Sequence, residues 1–440
     1  MMPCVIYSNR IMTGTNMTGR KNTPYGDNIL IQGLGPILNR NTILSRLTEL
    51  PPAPPKTLPR SKLERLHALV SLIDLHIPSL EGARIYETID LMLRQSYRYR
   101  NPGDPKTWQM INGEPGFNIH HRAPAMSAIV ASNSGMGKTQ SIFRVLETYP
   151  EQVILHKKFP NIVGSHPQVV WLSVDAPSSG KSSDLAENLM RAWDNTLEQY
   201  IPNYISSFTS ALSKDHRDGL KMLNQWHQVA LAGYFGVLHL DEIQNLFKLA
   251  TLRQRRVRNK QESPPELSIV EDKCLKWILS LLNTGQIPVI FSGTLDGVGA
   301  LTKRISTTER ITTGGFHKLL PFTQTNPKTW EMFFAQLISY QYVKKPLPDS
   351  ENFRQLILNL TAGVPRIILA LWISAHRVAF ERSEDSLRLE DFEKAANTYL
   401  APLKPAIAAL NSGDPVKMAK FDDLLPRDDG VWESFWNPLS

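Results

Sequence analysis

Two stretches of the chain carry residue types whose order suits phosphate chemistry. The first is Ser132-Asn-Ser-Gly-Met-Gly-Lys-Thr139. Gly135 and Gly137 can adopt backbone conformations that other residues avoid, which lets successive N–H groups turn inward around an anion. Lys138 places an ammonium within reach of β and γ phosphates, and the Thr139 hydroxyl can ligate Mg2+. The residues that follow open a helix, whose positive N-terminal end faces the same anion. Ser134, Gly135, Met136, Gly137, Lys138, Thr139 and Gln140 are therefore the candidate nucleotide-binding residues, with ATP and Mg2+ as the implied ligands. Ser132 stands where such a loop usually has glycine, so a positive φ there would strain it.

The second stretch is Phe235-Gly-Val-Leu-His-Leu-Asp241-Glu242, an apolar run ending in two acids about 100 residues after the loop. In nucleoside triphosphatases an Asp so placed holds Mg2+, and a following Glu orients and deprotonates the attacking water. Asp241 and Thr139 are thus the metal candidates, and Asp241 and Glu242 the catalytic ones. His239, inside the run, reads as a packed sheet residue. Two further motifs could complete such a site. Pro288-Val-Ile-Phe-Ser-Gly-Thr294 puts a hydroxyl at a strand end, where Thr294 could sense a γ-phosphate. Thr361-Ala-Gly-Val-Pro-Arg366 breaks one helix and starts another, from which Arg366 could reach over a nucleotide. Lys303, Arg304 and Arg310 are candidates for an arginine finger acting on a neighbouring subunit, with Arg310 preferred.

These residues need a scaffold that brings strand ends together. Short apolar runs, at Met126–Ala131, Gln168–Val174, Phe235–Leu240, Ile287–Phe291 and Lys318–Phe322, alternate with helical stretches such as Ser141–Thr148, Ser183–Gln199 and Leu267–Asn283. Alternation of this kind predicts an α/β fold, a parallel sheet with helices on both faces. It fills residues 125–325. Beyond it, helices over Trp330–Tyr340, Phe353–Thr361, Arg366–Phe380 and Leu389–Ala401 predict an all-helical domain over 326–402. Residues 1–60, closing on Pro51-Pro52-Ala53-Pro54-Pro55, read as an extended segment. Residues 61–124 read as a small helical module, and 403–440 as an acidic tail with Trp432, Phe435 and Trp436 near its end.

Composition limits the function classes. The 440 residues are 42% hydrophobic and 20% charged, which excludes a chain disordered throughout. The two cysteines, Cys4 and Cys274, cannot build a disulfide framework or a multi-cysteine metal site. No apolar run reaches the roughly 18 residues of a membrane span, and Met1–Gln32 has no secretory pattern, so a cytoplasmic setting is expected. Lys plus Arg number 49 against 41 Asp plus Glu, a net charge of +8, which favours a polyanionic partner, nucleic acid before membrane.

Together the motifs resemble those of an AAA+ ATPase: Walker A, Walker B with its Glu, a first sensor, an arginine finger and a Gly-x-Pro-Arg second sensor in a helical lid. Tyr97–Pro102, Gln168-Val-Val-Trp-Leu-Ser-Val-Asp175, Val237–Leu246 and Leu360–Ala379 narrow the resemblance to TnsC and TniB, the AAA+ regulators of transposons with a heteromeric transposase, CRISPR-associated ones included. The likeness covers roughly residues 61–400. It implies ATP binding, slow regulatory hydrolysis, and assembly of a homo-oligomeric ring or filament around double-stranded DNA. It also implies a link between a TniQ-type target selector and the transposase subunits, in a bacterial, nucleoid-associated setting. For such a role the DNA-contacting candidates are Lys157, Lys158, Lys181, Arg253, Arg255, Arg256 and Arg258, acting on the phosphate backbone. Initiator-like or signalling AAA+ ATPases share the Walker motifs and form the alternative class. Only about 40 residues follow Ala401, too few for a winged-helix domain. A non-hydrolysing scaffold is a third class, against which the intact Lys138, Asp241 and Glu242 argue.

Overall fold

A computed structural model describes residues 24–55, 57–59, 61–112, 126–213, 218–249, 267–284, 286–302, 309–323 and 327–418. Its centre is a five-stranded sheet. In chain order the strands are β1 (Ser127–Ala131), β2 (Val153–His156), β3 (His166–Val169), β4 (Trp171–Asp175), β5 (Val237–Asp241), β6 (Phe247–Leu249), β7 (Leu267–Ile269), β8 (Val289–Gly293) and β9 (Gly315–Lys318). The main sheet runs β4-β5-β8-β1-β9, every pair parallel. β2 and β3 form an antiparallel hairpin that leads into β4, and β6 and β7 a second one.

The three central strands are buried along their whole length. That is why they read as continuous apolar runs instead of alternating ones. Alternate residues face two separate cores. Ile129, Ala131, Leu238, Leu240, Val289 and Phe291 pack beneath the helices Ser182–Tyr200, Gly219–Ala232 and Asp272–Thr284, with Trp193, Trp226 and Trp277 between them. Ala128, Val130, Val237 and Ile290 face the other way, onto the helices Lys138–Leu146 and Leu80–Arg98. The molecule is a helix–sheet–helix sandwich with a helical domain appended: Pro327–Leu337, Glu351–Thr361, Pro365–Phe380 and Leu389–Thr398 around Phe334, Phe353, Trp372 and Phe392.

Several boundaries differ from the sequence reading. The segment before residue 60, expected to be extended, holds helices Ile29–Gln32 and Arg40–Leu47, capped by the side chains of Asn28 and Asn39 and burying Leu30, Ile31, Ile43 and Leu47. Residues 62–98 pack on both the sheet and the lid. Ile85, Ile89, Met92 and Leu93 join the core under β1, while Arg65, 2% exposed, donates to Tyr342 O and Asp385 of the lid. The last strand lies at 315–318, not 318–322: Gly314 and Gly315 turn the chain beside Ser127, and Pro321, lacking an N–H, sits beyond the ladder. Within 267–283, the first three residues are strand β7 and the helix starts at Asp272. The helix after the phosphate loop begins at Lys138, three residues earlier than its apolar pattern suggests. Residues 404–412 are helical where the tail was expected to begin. Among the described residues no single helix is long and apolar enough to cross a membrane.

Candidate nucleotide site

The carboxyl ends of β1, β5 and β8 meet at one place. β1 ends at Ala131, and the chain turns through 132–137 into the helix Lys138–Leu146, with Gly135 at φ 80° and Gly137 at φ 81°. Ser132 is not among the residues with positive φ. Its N–H donates to Gly293 O at 3.3 Å and its hydroxyl to Asn133 O at 2.9 Å, so the expected strain does not arise. The loop tolerates serine because the turn is made at the two glycines. A Cβ on Gly137 would meet nothing within 4 Å, which leaves open space at the mouth of the helix.

The Lys138 ammonium, in a residue 7% exposed, folds back onto the carbonyls of Ser132 (3.3 Å) and Asn133 (3.4 Å). Ser134 is half-buried, Met136 buried, and Gln140 exposed on the outer side of the helix. In the first turn of that helix, the Thr139 hydroxyl donates to Asp241 Oδ2, joining the helix to the end of β5. Asp241 Oδ1 accepts from the Ser292 hydroxyl and from the Glu242 N–H at 2.8 Å. Burial alone would raise the Asp241 carboxyl. Neighbouring His239 and the donors Ser292, Thr139 and Glu242 N–H outweigh it and hold the group below the ordinary carboxylate range. A buried carboxylate and a hydroxyl facing each other beside an anion-binding loop are hard oxygen donors, the set that suits Mg2+.

Glu242 sits in the left-handed region, φ 52° and ψ 41°, a conformation that costs a non-glycine residue energy and concentrates at functional sites. Its carboxylate accepts from the Gln244 amide. The other end of that amide accepts the Thr294 N–H at 3.2 Å, so Gln244 ties Glu242 to the end of β8. The Thr294 hydroxyl itself turns to Asp296, and Ser292, two residues earlier, occupies the position beside Asp241. Ser292 and His239 were invisible as site residues in the sequence. Only the parallel register, which aligns β5 and β8, could have found them.

The lid reaches the loop through its backbone. Ala362 (φ 50°) and Gly363 (φ 67°) turn the chain between two lid helices, and the Arg366 N–H donates to Gly135 O at 3.2 Å. The Arg366 side chain is exposed at the first turn of its helix. Gly363 is obligatory: a Cβ there would lie 1.9 Å from Phe322 O, which is held in place by the Phe322 N–H to Gly363 O bond of 2.9 Å.

The remaining candidates are not gathered here. Arg310 is exposed, and its carbonyl accepts from Ser127 at the start of β1, the far end of the strand from the loop. The five residues of β1, at about 3.3 Å each, separate it from the loop. Lys157 and Lys158 are exposed on the turn after β2, whose end pairs with the start of β3. Lys181 is exposed at the opposite end of that β3–β4 run, on the nucleotide side. There Ser182 donates twice to Glu271, at the foot of the β6–β7 hairpin. Arg253, Arg255, Arg256 and Arg258, which fall in the sequence between β6 and β7, lie outside the described residues, and so do Lys303, Arg304 and the tail aromatics.

Residues 121–298 match the family model described as an AAA domain. No functionally curated protein matches the chain. Among solved structures it is similar to the ORC1 protein of Aeropyrum pernix in complex with DNA, at 15% identity over 64% of this chain and TM-score 0.38. It spans 62% of that protein's length. It is also similar to Cdc6p of Pyrobaculum aerophilum, at 15% identity over 90% of this chain and 88% of that one, TM-score 0.40. A Walker-type ATPase of Pyrococcus abyssi shares 12% identity over 67% of this chain and 72% of its own, TM-score 0.37. The matched domain, the parallel sheet and the helical lid together define a protein with the AAA+ fold, built around an AAA domain.

Proposed function

We propose that the chain binds and slowly hydrolyses ATP with Mg2+, and that nucleotide state controls its assembly on double-stranded DNA as a transposition regulator of the TnsC/TniB type. The observation that carries the nucleotide part is the convergence of Thr139, Asp241 and Lys138 beneath a loop that the lid contacts through Arg366 N–H. Bound Mg2+ would supply charge neutralisation for the phosphates. The protein's own residues do the rest. The loop amides and Lys138 bind and orient the phosphates, Thr139 and Asp241 hold the cation, and Glu242 accepts the proton of the attacking water. Arg310, exposed beside the start of β1, is the arginine finger of this reading, acting on a neighbour's nucleotide in an oligomer. The DNA part is supported by the net charge of +8 and by Lys181, which stands beside the foot of the hairpin that bears the densest basic run. Links to a TniQ-type selector and to transposase subunits follow from the sequence resemblance.

Electron microscopy of the purified chain with duplex DNA, in ATP, ADP or no nucleotide, tests this reading. Rings or filaments that need ATP and vanish in Lys138→Ala support it. Particles that stay monomeric on DNA in every nucleotide state would overturn the assembly and leave an initiator-like or signalling switch.

A further inference from the structure

A chain of hydrogen bonds crosses three adjacent strands beneath the phosphate-loop helix. Ser173 on β4 and His239 on β5 are register partners, with Ser173 Oγ 2.8 Å from His239 Nδ1. His239 Nε2 lies 2.7 Å from Ser292 Oγ on β8. The Ser292 hydroxyl donates to Asp241 Oδ1, and Asp241 Oδ2 accepts from Thr139. Each hydroxyl has a single proton, and a neutral imidazole has one N–H. Because Ser292 donates to the carboxylate, its oxygen must accept from His239, which fixes the Nε2–H tautomer and leaves Nδ1 to accept from Ser173. All three protons therefore point towards Asp241. His239 and Ser292 are both 0% exposed, and the Phe143 ring, on the phosphate-loop helix, stands perpendicular to the imidazole with centroids 6.3 Å apart. Four polar groups strung through an apolar sheet cost desolvation at every member. A Leu or Val at 239 would fill the core without it. What the chain gains is a carboxylate whose rotamer is fixed from behind.

We propose that His239 and Ser292 are positioning residues for the divalent cation of the nucleotide site: through the His239–Ser292–Asp241 contacts they hold Asp241 with Oδ2 turned to Thr139, so that the two oxygens form one ready-made cation site. This rests on the nucleotide-binding reading above. Outer partners of metal ligands typically change metal affinity by about 10- to 100-fold when removed. Phosphate binding through the loop and Lys138 does not pass through this chain, so metal-free nucleotide affinity is left alone.

The test uses the full chain and a fluorescent ADP analogue, first in EDTA and then with Mg2+ titrated in, alongside electron paramagnetic resonance of Mn2+ bound with ADP. Ser292→Ala and His239→Leu are expected to raise the Mg2+ midpoint about 10-fold and to weaken Mn2+ binding in parallel. Metal-free analogue affinity should stay within about two-fold of the parent. His239→Gln, which can donate and accept at once, is expected to recover most of the midpoint. Ser292→Ala deletes a single oxygen and keeps the question open to answer if His239→Leu fails to fold. An unmoved Mg2+ midpoint in folded variants overturns the inference, as does an equal loss of metal-free and metal-dependent affinity. A wild-type chain that binds no nucleotide under any condition overturns the nucleotide reading itself. Normal wild-type binding with indifferent variants overturns the positioning role alone.

Discussion

The two ends of the central sheet are built differently. At the carboxyl ends, β1, β5 and β8, the phosphate-loop helix and the lid exchange hydrogen bonds through Thr139, Asp241, Ser292, Gln244 and the Arg366 backbone. At the amino ends the candidate residues stand apart: Arg310 is exposed beside the start of β1, and Lys157 and Lys158 are exposed beyond the β2–β3 hairpin. The convergent end can act within one molecule. The candidates at the dispersed end share no hydrogen bond with the convergent one.

The contrast can be broken most severely at the hinge that ties the lid to the convergent end. Gly363→Ala combines a positive φ with a backbone clash against Phe322 O and should cost about 4 kcal/mol, the sum of strain and overpacking. Thermal unfolding monitored by calorimetry would show it. A drop of under about 1 kcal/mol would mean that the lid does not depend on this turn. Acid is next. Burial pushes His376 down to about 4, so at neutral pH it is uncharged in the folded chain. Between pH 6.5 and 4 the unfolded chain binds protons there that the folded chain does not, so stability is present at pH 7 and is lost as pH falls through that window. Roughly 2 kcal/mol should be gone by pH 5. Unfolding curves at pH 7 and 5 check this, and His376→Gln, if folded, should flatten the dependence.

The smallest effect separates the two ends directly. Lys181→Glu should lower duplex DNA affinity several-fold and reduce the slope of log affinity against log salt by about one. The double change Lys157→Glu and Lys158→Glu lies at the other end and should alter the slope only if DNA spans both. Fluorescence anisotropy across a salt series measures both variants. Equal effects would dissolve the distinction drawn here.

The phosphate loop and the Asp241-Glu242 pair were legible because their chemistry is written in consecutive residues flanked by an apolar strand and a helix. What lay across strands was not legible. Ser292 and His239 acquire meaning only when β5 and β8 pair in parallel, and Thr294, the more obvious hydroxyl, turns out to face Asp296. Local rules misled at two other places. Residues 1–60 read as extended, yet Asn28 and Asn39 each cap a helix whose apolar residues are buried. The apolar run to Phe322 looked like a strand, yet the ladder closes earlier, where Gly314 and Gly315 let the backbone approach β1. Charge was the least informative signal. Net charge pointed to a polyanion but to no particular residue, and the candidate lysines sit at opposite ends of the sheet.

The most direct test of the account compares Lys138→Ala with Glu242→Gln in ATP binding and single-turnover hydrolysis. The geometry predicts that Lys138→Ala loses both, while Glu242→Gln keeps nucleotide affinity and loses turnover by about 100-fold or more, since only the proton acceptor has gone. Unchanged turnover in Glu242→Gln, or undiminished binding in Lys138→Ala, would contradict it.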